Sequence, residues 1–504
     1  MSFQFRWVFW VLGALIVLTL RKKKTPGQLQ AIKVSSKSLH VGSAIIFFLV
    51  AFIAKLLQLW GNELNGLDFW LFVDLLEQSS HGGFFLTRFA PQSIGWVQHG
   101  SVHAFIPLTL FLPLVPIIGA KWTALLINPL GLALGGYFLG RITEPKWGRL
   151  GSLTWMLAFY SLSSNGKTLM YETHPESLYP ALLFGVFLAR DGWKAAAATL
   201  LCFSLKLDVL GLVVPLFLLV SNKRIFLIFS ALGIVLQLII LKFSFLGKLG
   251  PAMWFGESVT LARIGGTGEM VTLFAALQKF KILASFLVGR PLMTLLLPVV
   301  WILKSPIWWV GALGLGYIYS WIPGGLPLWN YYSAPWVALA FLIASQIYPT
   351  EDEGIRRRWL LWMVITSTFL GGASPRWVLQ SQVSSVYRDA RRNEVVNALD
   401  CLSAHVIRPK NEIRGPVGLV SPSLIAAAWD DRKINIYSEF PPQGDLLNRK
   451  LDFVLLELGV DRYGLSSADT QLLVDRLSRD PKWKYLNEEC GLTHRLQGWA
   501  AVEK

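Results

Sequence analysis

Apolar runs of membrane-crossing length alternate with short polar breaks from residue 7 to about residue 374. In lipid, only helices satisfy all backbone groups within their own segment, so repeated runs predict a polytopic α-helical membrane protein. Helices are predicted at about 7–20, 41–59, 122–140, 151–167, 177–190, 195–206, 209–220, 226–246, 291–303, 306–320, 333–347 and 358–374. Residues 101–140 hold two apolar runs yet must cross an odd number of times. The first run, "IPLTLFLPLVPIIG", contains Pro107, Pro113 and Pro116, which break helix hydrogen bonding. It is predicted to be re-entrant or interfacial, giving about 12–13 transmembrane helices in all.

Past residue 385 the pattern becomes that of a soluble fold. "VGLVSP", "INIYSEF" and "FVLLEL" predict short strands, interleaved with helical "SLIAAAWDD" and "DTQLLVDRLSRD". The domains expected are an added N-terminal helix with a basic loop (1–40), a transmembrane domain (41–384) with an external loop at 60–100, and a small C-terminal α/β domain (385–504). Cys401 and Cys490 lie in the last of these and can pair if it meets an oxidising compartment.

Charge fixes the orientation. The chain is 504 residues, 53% hydrophobic and only 15% charged, with a formal net charge of +16. Its cations sit in short interhelical segments such as "RKKK", "SNKR" and "GIRRRW", a topology signal; no nucleic-acid partner is expected. Residues 21–40, "RITEPKWGR" (141–149), "RDGWK", "SNKR" and "YPTEDEGIRRRW" are read as cytoplasmic. "YETHPES" (171–177), the "KLD" break at 206–208, 247–290 and the C-terminal domain are then external.

The external side gathers candidate chemistry from distant parts of the chain. Asp68, Asp74 and Glu77 come from the first external loop, and His99 and His103 follow. "YETHPES" adds Glu172, His174 and Glu176, and Lys206, Asp208, Arg263 and Arg290 lie farther on. A carboxylate can act as general base on an incoming hydroxyl, and a Lys or Arg can neutralise a departing phosphate. Plainer readings stand beside these. Asp68, Asp74 and Glu77 can form the wet face of an interfacial helix, and Lys206 with Asp208 a structural ion pair. His99 and His103 have metal-like i,i+4 spacing but no third ligand.

"GLDFWLFVDLLEQSSHGG", "HGSVHAFIPLTLFLPL" and "THPESLYPALLFGVFLARDGWKAAAATLLCFSLKLDVLGLVVPLFLLV" resemble the bacterial membrane family known as domain of unknown function (DUF) 2079. "NYYSAP" resembles a later element of that family, with Tyr331 standing where it has His. That family is similar to the GT-C superfamily of membrane glycosyltransferases, which use polyprenyl-phosphate-linked sugars and an essential acid in the first external loop. The resemblance implies transfer to an acceptor hydroxyl at the external side of the bacterial inner (cytoplasmic) membrane. Asp68, Glu176 and His174 would be catalytic, and Lys206, Arg290 and Arg263 would hold the donor phosphate. Glu172, His99, His103 and Asp208 are candidates for the acceptor or for a divalent cation (Mg or Mn). The expected partners are the bilayer, a lipid-linked sugar donor and an envelope-complex protein at residues 1–20 or 385–504. A non-catalytic scaffold subunit is the rival reading. A transporter ranks last, since no internal repeat is evident.

Overall fold

The computed structural model describes residues 35–60, 67–82, 105–170, 173–244, 305–311, 334–347, 359–360, 394, 397–402, 404–405, 417–419, 436–438, 453–457, 467–492 and 496–501. The chain divides into two compact units. One is Met1–Lys55 with Ser101–Phe111 and Leu125–Leu379, and the other is Leu56–Gly100 with Leu112–Ala124 and Gln380–Lys504. The predicted helices at 7–20, 291–303 and most of 358–374 lie outside the described residues.

The first unit is helical. Its first described helix, α1 (Ser36–Trp60), starts earlier than the apolar run. Ser35 Oγ accepts the backbone N–H of Ser38 at 3.1 Å and so satisfies an otherwise open donor of the first turn. Helix α2 (Leu67–Ser80), from the first predicted external loop, belongs to the second unit, as do residues 112–124. The Pro-rich run forms a 3₁₀ helix (Ile106–Leu114) and a single α-helical turn, α3 (Val115–Ile118), before Gly119 breaks it at φ 84°.

Helix α4 (Ala120–Ser161) was expected as two helices joined by a loop at 141–149, but the chain stays helical through most of that loop. It reverses at Gly148, where φ is 65° and ψ is −177°. That region is open almost only to glycine, so one residue does the work of a loop. The two arms lie against each other through glycines. A Cβ on Gly140 would stand 2.6 Å from Met156 Sδ, one on Gly136 would strike the Tyr160 ring, and one on Gly135 would come 3.2 Å from Phe159. The Gly140–Met156 and Gly136–Tyr160 pairs are centred on residue 148. Small residues at such contacts let membrane helices approach closely, where packing rather than water expulsion drives association.

Helix α5 (Ser163–Met170) leads to the "HPES" turn, a 3₁₀ helix (Pro175–Leu178) running into α6 (Tyr179–Leu188). Helix α7 (Gly192–Phe203) is followed by a 3₁₀ helix (Leu207–Leu212), then α8 (Val213–Leu219) and α9 (Lys223–Ser244). Helix α10 (Ala334–Ile347) is buried over Ala334–Ser345, on every side, as a central apolar helix must be. Phe159 joins it to the hairpin, edge-on to Phe341 at 5.4 Å and to Phe184 at 5.9 Å.

Three described spans are long and apolar enough to cross a membrane: Ser36–Leu59, Ala120–Ser161 and Lys223–Ile240. Their outer faces fit lipid. Ile45, Ile46, Leu49 and Ile53 are exposed along α1, and Ile228, Leu232, Val235 and Ile239 along α9, at one-face helical spacing.

The second unit contains a five-stranded sheet in the order β2-β1-β3-β5-β4, built from β1 (Val417–Leu419), β2 (Ile436–Ser438), β3 (Phe453–Glu457), β4 (Trp483–Tyr485) and β5 (Leu496–Ala501). β1 runs parallel to β2 and β3, while β5 is antiparallel to β3 and β4. Central β3 is buried from Phe453 through Leu456, which explains its unbroken apolar run. The predicted helix around "DTQLLVDRLSRD" is α11 (Ser467–Arg479). "SLIAAAWDD" lies outside the described residues. Cys401 and Cys490 are joined by a disulfide with Cα atoms 5.6 Å apart.

Candidate functional site

Local sequence places a buried carboxylate at the "HPES" turn. A residue before proline is pushed to extended backbone, and His174 sits at φ −143°, ψ 126°. Pro175 then opens the 3₁₀ turn, where its missing N–H costs nothing. Ser177 closes it by donating both its backbone N–H (3.1 Å) and its hydroxyl (2.8 Å) to the His174 carbonyl. Glu176, inside the turn, is fully buried.

Lys206 arrives from a second break. Helix α7 stops at Phe203, and Lys206 is extended before the next 3₁₀ turn. A buried helix end needs partners for its last carbonyls. Gln237 of α9 donates to the Phe203 carbonyl at 2.6 Å, and the Ile106 N–H donates to the Ser204 carbonyl at 3.2 Å.

The two breaks bring three of the expected site residues together. Lys206 Nζ lies 2.6 Å from Glu176 Oε1, and His174 Nδ1 lies 2.6 Å from Glu176 Oε2. Both carboxylate oxygens are therefore bridged. Lys206 thus pairs with Glu176, 30 residues away in the chain. Because the carboxylate accepts from Nδ1, a neutral His174 carries its lone pair on Nε2, the oriented-base arrangement that a carboxylate imposes on imidazole. A divalent cation would have to displace the Lys206 ammonium to reach Glu176, and its candidate ligands Glu172, His99, His103 and the Asp208 side chain lie outside the described residues.

Two further residues hold this site, and neither was singled out from the sequence. Asn128, in α4, accepts the His174 N–H on Oδ1 at 3.0 Å and donates through Nδ2 to the Thr168 carbonyl at 3.1 Å. Gly131, one turn on, lets the turn lie against α4; a Cβ there would be 2.5 Å from the Ser177 carbonyl oxygen. The available signal was a polar side chain inside the apolar run "LLINPLG".

The remaining candidates are placed as follows. Asp68 lies in the first turn of α2, which describes its backbone but not its side chain. On the same helix Asp74 is fully buried and accepts from Gln78 Nε2 at 3.4 Å, which corrects the reading of Asp74 as part of a wet face. Asp208 occupies the 3₁₀ turn after Lys206, again without a described side chain. Glu172, His99, His103, Arg263 and Arg290 lie outside the described residues, as does Tyr331. In the second unit a cleft of about 700 Å³ opens between the end of α2 and the start of α4, with Glu77, His81, Lys121 and Trp122 among its lining residues.

No protein-family model matches the chain, and no curated protein does. The label of domain of unknown function 2079 therefore rests on the quoted motifs alone. Among solved structures, the chain is similar to ArnT from Cupriavidus metallidurans, solved bound to undecaprenyl phosphate. The TM-score is 0.49 at 12% identity, over 92% of this chain and 99% of that one. It is also similar to the arabinofuranosyltransferase AftD from mycobacteria, with a TM-score of 0.42 at 14% identity, over 91% of this chain and 40% of that one. At such scores neither likeness carries an argument about chemistry, which rests on the residues above.

Proposed function

We propose that this chain is a GT-C-like membrane glycosyltransferase that moves a sugar from a polyprenyl-phosphate-linked donor to an acceptor hydroxyl. The observation that supports it is Glu176 bridged by Lys206 and His174 at the joints of broken apolar helices. Ionisable groups in a membrane-embedded helical unit are costly and mark substrate sites by default. Lys206, which already holds one anion in a buried setting, offers the leaving phosphate a cation, with Arg263 and Arg290 as further donors to it. Asp68 takes the proton from the acceptor hydroxyl as its oxygen attacks the anomeric carbon. The bond from that carbon to the phosphate oxygen breaks, the phosphate keeps the electron pair, and the anomeric centre inverts. His174 and Glu176 orient the acceptor through the bridged carboxylate.

The Cys401–Cys490 disulfide supports an external C-terminal domain, because such bonds persist in oxidising compartments. It accords with the proposed reaction lying on the periplasmic side of the inner membrane. Loss of transfer on chelation would bring a divalent cation, Mg or Mn, into the site, with Glu172, His99, His103 and Asp208 as its candidate ligands.

One observation favours a second reading, that of a non-catalytic scaffold subunit. Both oxygens of Glu176 are engaged within the chain, so the bridge is also a complete structural fastening. The test is mass spectrometry of lipids carried through gentle purification, wild type beside Lys206→Ala, with transfer assayed in Asp68→Asn. Enrichment of a polyprenyl phosphate lost in Lys206→Ala, together with loss of transfer in Asp68→Asn, is expected of the enzyme. Bulk phospholipid in both preparations, with envelope function intact in Asp68→Asn, would make the chain a scaffold.

A further inference from the structure

The Cys401–Cys490 disulfide has a neighbour that a purely structural cross-link does not require. His405 lies one helical turn from Cys401, with Nδ1 3.7 Å from Cys401 Sγ. The ligand atoms of Cys401, His405 and Cys490 all lie within 4.8 Å of one another. His405 is exposed and both cysteines are partly exposed, so an ion reaches the group from water. Two thiolates and an imidazole are a zinc donor set, and three protein ligands leave a fourth position for water.

We propose that this cluster is a redox-gated zinc site, closed as a disulfide when oxidised and able to take zinc when reduced. The exchange balances with a dithiol as reductant: its two thiols become a disulfide while the Cys401–Cys490 bond becomes two thiols. Zinc then replaces the two thiol protons, which pass to water.

Both sides of the cluster are held by contacts that do not involve the sulfur–sulfur bond. Beside Cys401, Leu402 is buried, and its Cδ2 lies 2.8 Å from where a Cβ on Gly498 would be. On the other side, Asn487 pins the turn between β4 and β5. Its Nδ2 donates to the Leu496 carbonyl at 3.0 Å, and its Oδ1 accepts the Gly498 N–H at 2.9 Å. The Cys490 N–H donates to the Leu486 carbonyl at 2.9 Å within the same turn. Reduction therefore leaves the two thiols facing each other. His405 Nδ1 now donates to the Cys401 carbonyl at 2.9 Å, so ligation requires the ring to give up that bond and turn a nitrogen inward. Glu489 is engaged with Lys484 at 2.9 Å, so among the described residues the fourth position falls to water.

The test uses the full chain in detergent, with cobalt(II) as the optical probe and zinc(II) as competitor. The protein is reduced with a phosphine, the excess is removed, and thiolate-to-cobalt charge-transfer absorption is titrated. The expected result is stoichiometric cobalt, displaced by zinc, in the reduced protein and none in the oxidised one. Exposed His405→Ala should fold normally and weaken binding on the order of tenfold or more, as should Cys490→Ser. Equal binding by His405→Ala and wild type, absence of the band after reduction, or an undiminished band in Cys490→Ser would each overturn the proposal. The last would place the metal on ligands outside this cluster.

Discussion

Asn128 receives the backbone N–H of His174 on its side-chain oxygen at 3.0 Å, across 46 residues of sequence. Through its amide nitrogen it also holds the carbonyl of Thr168, so one side chain fastens both flanks of the segment that carries Glu176. Asn128→Leu removes both bonds and leaves two buried backbone groups without that partner. The expected loss is about 1–3 kcal/mol, set by desolvation of the abandoned groups rather than by the bonds themselves. Thermal unfolding in detergent reads the change. Asn128→Asp keeps the acceptor and forfeits the donor, so it should fall between the two; stability equal to wild type in Asn128→Leu would remove the fastening role.

The Lys206–Glu176 pair makes a sharper prediction. Removing one partner of a buried ion pair takes that compensation from the remaining charge, a loss of about 3–5 kcal/mol in comparable cases. Glu176→Gln and Lys206→Met should each destabilise strongly, while the double variant should cost clearly less than their sum. A double-mutant cycle measures that coupling directly. Additive effects would mean that the two groups do not sense each other in the folded protein.

Gly148 tests the hairpin through its backbone alone. A Cβ there meets nothing within 4 Å, so space is available, yet φ of +65° with ψ near 180° excludes other residues. Gly148→Ala should therefore cost about 1–3 kcal/mol from conformation and nothing from collision. Gly136→Ala is the counterpart, in ordinary helical backbone but against the Tyr160 ring. Its damage should be relieved by shrinking the ring in Tyr160→Ala, whereas Gly148→Ala should gain nothing from that change.

The disulfide closes a loop of 89 residues. Reduction, or Cys401→Ser, should destabilise the sheet by about 2–4 kcal/mol, chiefly by freeing the unfolded chain. Hydrogen exchange over β4 and β5 should accelerate accordingly, while exchange over α4 stays as it was. Unchanged protection of β5 would show that Asn487 and Leu402 hold the turn without the cross-link.

Much of this was legible from residue pattern, and the rest was hidden for physical reasons. Long apolar runs located α1 and α9 to within about five residues at each end, because burial in lipid overrides local detail. His174, Glu176 and Lys206 stood out as ionisable residues against an apolar background. Their pairing did not, since Glu176 and Lys206 lie 30 residues apart in sequence and only the fold brings them together. Asn128 lay inside the predicted helix 122–140, where residue pattern gives no sign of the backbone groups it holds. β4 and β5 escaped because "WKY" is short and "LQGWAA" lacks β-branched residues; pairing with β3, not intrinsic preference, makes them strands. The expected loop at 141–149 failed through Gly148, whose permissive backbone no hydropathy pattern reveals.

That single-residue reversal bears on how sidedness can be measured. Epitope tags and protease sites need slack chain on both flanks, and between the arms of α4 there is none. An insertion near residue 148 would pull Gly136 off Tyr160 and Gly140 off Met156 before any antibody or enzyme reached it. A signal from such an insert would report an opened hairpin, not the compartment that the turn faces. Single-cysteine labelling at exposed Lys146, which replaces atoms without lengthening the chain, is the experiment that this geometry permits.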